Sequence, residues 1–251
     1  MTGPLVVDVH QHVGPWPFAG ATGGIALNLG LMERRGIDIA IISSTRAVVQ
    51  EMVLGNTELA QDLAGKPSLY GYVTLNPTWR AQCEREIERF AENPQFVGYK
   101  IHCAYSGCAM GDPRVAAVFN LLEPLMRPLL IHTWGTTEVA SLQRLAEKHP
   151  RLPIIMAHAG GDAWRAGIAA ASACPNLYLD FACSTPYTGA IQRALDTLGP
   201  TQIVFGSDST LFDPLYMKVQ FDRLVLSEQD RSLIMGGNAQ RLFKLTYHPG
   251  G

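Results

Sequence analysis

Charge is scarce in this sequence. Only 17% of its 251 residues are Asp, Glu, Lys or Arg, against the ~25% of an average soluble domain, while 47% are hydrophobic. That balance excludes a disordered chain and predicts extensive burial. The 20 Lys and Arg are scattered, the net charge is −2 and the pI is about 6.4. No basic field is left to hold nucleic acid or an anionic membrane, and no basic run reads as a tail. No apolar run reaches membrane-spanning length. The N-terminus, MTGPLVVDVHQHVG, lacks the basic and apolar regions of a signal peptide. The five cysteines are odd in number and widely spread, which argues against a disulfide scaffold. They read as free thiols, and the expected location is the reducing cytoplasm. Linkers and low-complexity tracts are also missing, and no Gly-rich phosphate fingerprint follows the first apolar run.

What is present is one alternation, repeated from end to end. Short apolar, β-branched runs occupy Leu5–His10, Asp38–Ser43, Leu69–Thr74, Phe96–His102, Leu129–His132, Ile154–His158, Leu177–Phe181 and Ile203–Gly206. They have the length of buried strands, and their near-continuous hydrophobicity suits a parallel sheet covered by helices. The segments between them carry helix signals. Trp79–Asn93 places Cys83, Ile87 and Phe90 on one face. Pro113–Arg127 follows the N-cap Asp112. Thr136–His149 opens on a threonine cap and ends in Lys148, His149 and Pro150. Asp162–Cys174 is Ala-rich and stops at Pro175. Successive inward residues His102, His132, His158, Asp180 and Asp208 are 30, 26, 22 and 28 apart, each about one strand–helix unit. Eight such units in 251 residues predict an α/β fold, a (β/α)8 TIM barrel forming a single domain over 1–251.

Metal-type residues recur at the ends of these strands. His10 and His12 follow Asp8 at alternate positions and so share a face. Lys100 and His102 share a face at the fourth strand. His132 ends the fifth, His158 the sixth, and Asp208 follows the eighth. In a barrel these ends meet around one axis, where the fold gathers catalytic residues. A single histidine in an apolar run is commonly a hydrogen-bonded core residue. Several imidazoles and a carboxylate converging on one point need a divalent ion; nitrogen and oxygen donors suit zinc, with manganese or iron open.

The ordered set Asp8-x-His10-x-His12, His132, His158 and Asp208 resembles the amidohydrolase superfamily. Gly237-Asn238-Ala239-Gln240-Arg241-Leu242-Phe243 resembles the closing segment of its amidohydrolase-2 branch, related to aminocarboxymuconate-semialdehyde decarboxylase. The resemblance runs from residue 8 to residue 245. It implies that His10, His12, His132 and Asp208 bind the metal, and that His158 is an acid/base group or a ligand to a second ion. Binuclear members carry a carbamylated, bridging lysine at the position of Lys100. One zinc ion is expected, with two open. The resemblance also implies a homodimer.

The implied chemistry is hydrolysis of an amide, lactone or ester-like bond of a small molecule, with the ion activating water and Asp208 and His158 moving protons. The alternative is non-oxidative decarboxylation of an unsaturated or aromatic acid. That reaction needs a cation for the carboxylate, and Arg46, just after the second strand, is a candidate. A non-catalytic protein that kept the fold is the third class, and the intact ligand set argues against it. Candidate substrate contacts are Arg46, Trp16, Lys100, His102 and Trp134, with Phe18, Tyr105 and Tyr187 as further loop aromatics. Cys183 is a thiol facing the same region. His149 and His248 match no strand end.

Overall fold

The computed structural model describes residues 4–18, 23–182 and 187–245; Cys183 and His248 lie outside them. Eight parallel strands form one sheet in sequential order, β1 to β8: Val7–Val13, Ile39–Ser44, Leu69–Thr74, Phe96–Ile101, Leu129–Trp134, Ile154–Gly160, Leu177–Asp180 and Ile203–Val204. The sheet curls until its last strand meets its first. The Val9 N–H donates to the Phe205 carbonyl at 3.0 Å, and the Asp208 N–H to the His10 carbonyl at 2.8 Å. A parallel bridge joins Gln11 to Ser209. The result is the expected (β/α)8 barrel.

Two apolar layers hold it. Val7, Val9, Ile39, Ile41, Leu130 and Ile155 fill the barrel interior with Tyr72. The Tyr72 hydroxyl crosses to donate to the Val9 carbonyl at 2.7 Å. A larger layer lies between the sheet and its helices and includes Ile42, Leu59, Phe119, Ile131 and Leu142. Both faces of each strand are therefore buried, which is why the strands do not alternate in polarity. Among the described residues no helix is long and apolar enough to cross a membrane.

The differences from expectation sit at element ends and have local causes. β1 starts at Val7 and runs on to Val13 because its end pairs with β2 as far as Ser44. β8 shrinks to two residues, since the chain from Phe205 onward bonds to β1 irregularly instead. The helix after β3 covers only Arg80–Arg89, preceded by a 3-10 turn, Pro77–Trp79. The helix from Pro113 ends at Leu122: Pro124 lacks an N–H, and Met126 turns left-handed at φ 51°. Thr136 does not cap its helix. Gly135 takes that place at φ 86°, and the Glu138 carboxylate accepts the Trp134 N–H at 2.7 Å. His149 is a buried structural residue, its Nδ1 facing the Leu145 carbonyl and its Nε2 facing Asn120 Oδ1. Tyr187 lines a separate outer groove beside Leu215 and Tyr216 rather than the barrel mouth.

Leu130 is fully buried at the centre of the barrel. Leu130→Ala is expected to cost about 2–5 kcal/mol by leaving a cavity the closed sheet cannot collapse into. Urea denaturation should show a lower midpoint with an unchanged slope; an unchanged midpoint would mean that the barrel interior is not close-packed.

Candidate metal centre

The site begins with a buried anchor. Asp8 Oδ1 accepts the backbone N–H groups of His10 and Ser207 at 3.1 and 3.0 Å. Its Oδ2 accepts the Ser207 hydroxyl at 2.5 Å and the Gln11 amide at 2.8 Å. Asn28 donates to Gln11 Oε1 and to the His12 carbonyl. Burial pushes the Asp8 carboxyl up to about 7 although these bonds oppose the shift. This network clamps the end of β1 to the loop after β8. The β1–β2 register also slips between Asp8 and Gln11, an irregularity of the kind that re-aims a side chain.

His10 and His12 emerge from the clamp with their Nε2 atoms 3.2 Å apart. Asp208 Oδ1 lies 3.2 Å from His12 Nε2 and 3.6 Å from His10 Nε2. One donor atom from each of these three residues falls within 4.8 Å of the others. Each ring is held from behind: His10 Nδ1 meets Asp180 Oδ2 at 2.7 Å, and His12 Nδ1 meets Ser43 Oγ at 3.0 Å. Such outer partners fix the ring orientation of metal-binding histidines. Burial, and then the Lys100 charge, lowers His10 well below the ordinary histidine range; burial also lowers His12. Burial works to raise Asp208, but the flanking His10 and His12 rings outweigh it and hold the carboxyl below its usual range. Two neutral imidazoles and one carboxylate, all buried, are a donor set that fits a divalent ion.

The remaining candidates surround this trio. Lys100 is buried, with Nζ 3.2 Å from His10 Nε2. His132 Nδ1 lies 3.0 Å from His158 Nε2, and the His132 ring stacks on His102 at 3.8 Å and 11°. His10, His12, Lys100, His102, His132, His158 and Asp208 line one cavity of about 360 Å³, whose walls include Trp16, Tyr105 and Trp134. The volume suits a small molecule. Arg46 stands elsewhere. It lies in the short helix Thr45–Val49, paired with Glu58 at 2.5 Å, in a separate cleft beside Pro15 and Asp62.

The backbone is strained where the site needs it. His158, Ala159 and Asp208 have φ of 62°, 49° and 61°. Non-glycine residues there cost about 1–3 kcal/mol each and persist only where the surroundings dictate them. Gly161 follows at φ 61°, and a Cβ on it would lie 2.3 Å from the Trp134 ring. Only glycine lets that indole lie flat against the chain.

Sequence reasoning missed Asp180, Ser43, Ser207, Leu211 and Phe212 as site residues. Asp180 was visible as an inward residue one unit before Asp208, but a lone carboxylate at a strand end does not announce a histidine partner. The apolar pair Leu211-Phe212, directly after Asp208, was the available signal for the last wall.

Burial lowers the Lys100 ammonium from 10.5 to about 8, against the pull of Asp208 and Asp180. Between about pH 8 and 10.5 the unfolded chain keeps a proton that the metal-free fold has released, so stability rises with pH across that window. Below about 8 both states hold the proton, and the cost of burying the charge is borne in full. Urea denaturation of the metal-free chain should show this rise relative to Lys100→Met. Parallel stability curves would mean that Lys100 ionises normally.

No curated protein matches the chain. Solved structures that share its fold include three decarboxylases. Relative to 2,6-dihydroxybenzoate decarboxylase from Rhizobium the TM-score is 0.79 at 18% identity, covering 98% of this chain and 100% of that one. For dihydroxybenzoic acid decarboxylase from Polaromonas sp. JS666 the values are 0.77, 20%, 99% and 98%. For 5-carboxyvanillate decarboxylase from Sphingomonas paucimobilis they are 0.76, 18%, 97% and 100%. At such identities the likeness is one of fold. The amidohydrolase-2 family model, described as Amidohydrolase, matches residues 7–245, from the first residue of β1 to the end of the described chain, and the protein belongs to that family.

Proposed function

We propose that the protein is a metal-dependent hydrolase that adds water to the carbonyl of an amide, lactone or ester-like bond in a small molecule. The observation that carries this reading is the direction of Lys100. Its Nζ contacts the same His10 nitrogen that faces Asp208, so the cavity's lysine is turned toward the proposed ligands. Arg46, the other cation available to hold a substrate carboxylate, is engaged by Glu58 outside the cavity.

His10, His12 and Asp208 would hold the ion, with His132 across the cavity as the fourth donor. A divalent ion there lowers the pKa of water toward ~7 and polarises a carbonyl. The chain supplies the rest. Asp208 Oδ1 faces both imidazoles, while its Oδ2 makes no hydrogen bond among the described residues. Oδ2 is therefore free to take the proton of the attacking water and return it to the departing nitrogen or oxygen as the bond to carbon breaks. Trp16, Tyr105 and Trp134 cover the reacting group and exclude bulk water, which strengthens every charge interaction inside. Lys100, with its ammonium lowered to about 8, gives up its proton far more readily than an exposed lysine, so a neighbouring cation has less to overcome in neutralising it.

A second reading, decarboxylation of an aromatic acid, draws on the aromatic walls. It also draws on the three similar structures named above, which are decarboxylases; the one from Polaromonas holds manganese and 2-nitroresorcinol. In that reading the Lys100 ammonium stays charged and holds the carboxylate.

Metal-depleted protein reloaded with zinc or manganese, and offered a panel of lactones, amides and hydroxybenzoates, separates the two. Ring or chain opening without gas release is expected, and CO2 release from a hydroxybenzoate would replace the first reading by the second. Asp208→Asn is expected to lower kcat by at least ~100-fold, the usual scale for a lost acid–base group, with an unchanged melting curve. Retained turnover would remove Asp208 from the chemistry.

A further inference from the structure

We propose that the substrate carries no charge outside its reacting group, and that a flat, uncharged body fills the outer half of the cavity. The inference names the substrate class of the site already described, and it rests on the reading above for the end at which the reaction occurs.

The cavity is divided by chemistry. All its ionisable side chains except Tyr105 belong to the inner end, in or beside the donor set: Lys100 contacts His10, and His102 stacks on His132. The outer end is built from Trp16, Phe18, Tyr105, Trp134, Leu211 and Phe212.

Rings form one continuous side of that outer end. Phe18 lies 5.5 Å from Trp16 at 30°, Trp16 lies 6.1 Å from Tyr105 at 39°, and Tyr105 meets His102 edge-on at 4.7 Å. Trp16 is 7% exposed, whereas its neighbours Tyr105 and Phe18 are 38% and 64% exposed. The wall therefore runs from the donor set to the rim and leaves large apolar faces uncovered. A flat body laid against them removes that surface from water. A single ring with its reacting group suits the volume of about 360 Å³.

Among the described residues no charged side chain shares this wall. The charged residues that adjoin it are engaged elsewhere. Arg46 is held by Glu58 in its own cleft. Asp213, the residue after Phe212, accepts two bonds from Arg35 at 2.8 and 2.6 Å. The Glu138 carboxylate accepts the Trp134 N–H. Residues 19–22 and 183–186, outside the described residues, read Ala-Gly-Ala-Thr and Cys-Ser-Thr-Pro and contain no charged side chain. A carboxylate or ammonium on the outer part of a substrate would lose water at this wall and gain no ion pair. The half-open rim softens that penalty, so the expected discrimination is roughly 10–100-fold rather than thousands.

The test reads binding, so it does not depend on which reaction occurs. The zinc-loaded full chain is titrated in a calorimeter with benzohydroxamic acids that differ only at the para position: methyl, carboxylate or trimethylammonium. The hydroxamate binds zinc, and the ring then projects along the wall. The methyl compound is expected to bind roughly 10–100-fold more tightly than either charged one. Equal or tighter binding of a charged compound overturns the proposal. Phe18→Arg, a change at an exposed position, is expected to shift the ratio of carboxylate to ammonium affinity by about 3-fold toward the carboxylate, the scale of an exposed ion pair. An unchanged ratio would mean that the wall does not read the charge of its ligand, and counts against the proposal. If zinc adds nothing to the affinities, the metal reading fails, and the same ranking on the metal-free chain decides the substrate class. Failure of all three compounds to bind with or without zinc overturns the proposal. A failed hydrolase reading shows instead in the turnover panel above and leaves this ranking untouched.

Discussion

Asp8 joins the first strand of the barrel to the last, and the whole mouth depends on that join. Its carboxylate is fully buried and accepts four hydrogen bonds, two from β1 itself and two from Ser207. A buried carboxylate is costly unless its oxygens are satisfied, so the bonds and the burial enforce one another. They set the position from which His10 and His12 emerge on one side and Asp208 on the other. Beside the clamp, closure onto β1 rests on a few irregular backbone bonds between Phe205 and Ser209, because β8 itself is only two residues long.

The site is a graded arrangement of protonation states. Near the trio, burial keeps the imidazoles neutral while their proximity keeps Asp208 ionised. One layer out, Asp8 and Asp180 are both raised to about 7 by burial. Asp180 shares a short bond with His10, so the proton between them belongs to the pair. Lys100 stands between these layers, its charge disfavoured by burial and drawn back by two carboxylates. Such opposed environments are typical of places where chemistry is done.

Much of this was legible in the sequence because periodicity and strand ends are local signals. The strand runs Leu69–Thr74, Leu129–His132 and Ile154–His158, and the residues His10, His12, Lys100, His132, His158 and Asp208, follow from apolar runs that end in polar residues. All six line one cavity. The partners behind them were not legible, because Asp180 meets His10 across 170 positions and Ser43 meets His12 across 31. No local pattern encodes such a meeting. Arg46 shows the reverse error. Its place after β2 suggested the mouth, but the next helix brought Glu58 within reach and drew it to the surface. Helix ends failed where a single backbone detail decided them, as at Pro124 and Gly135.

The clamp between Asp8 and Ser207 also spans almost the whole chain, 199 positions. Everything that makes the site must therefore wait for the two ends of the sequence to find one another. Bringing such distant segments together is the entropically slow part of folding. A partly made barrel, with β1 to β6 in place, would already expose the H-x-H pair and three further histidines, His102, His132 and His158, before the carboxylate that completes the set arrives. The donor set is thus among the last features to form, and an ion that recognises all of it would select only chains that have closed.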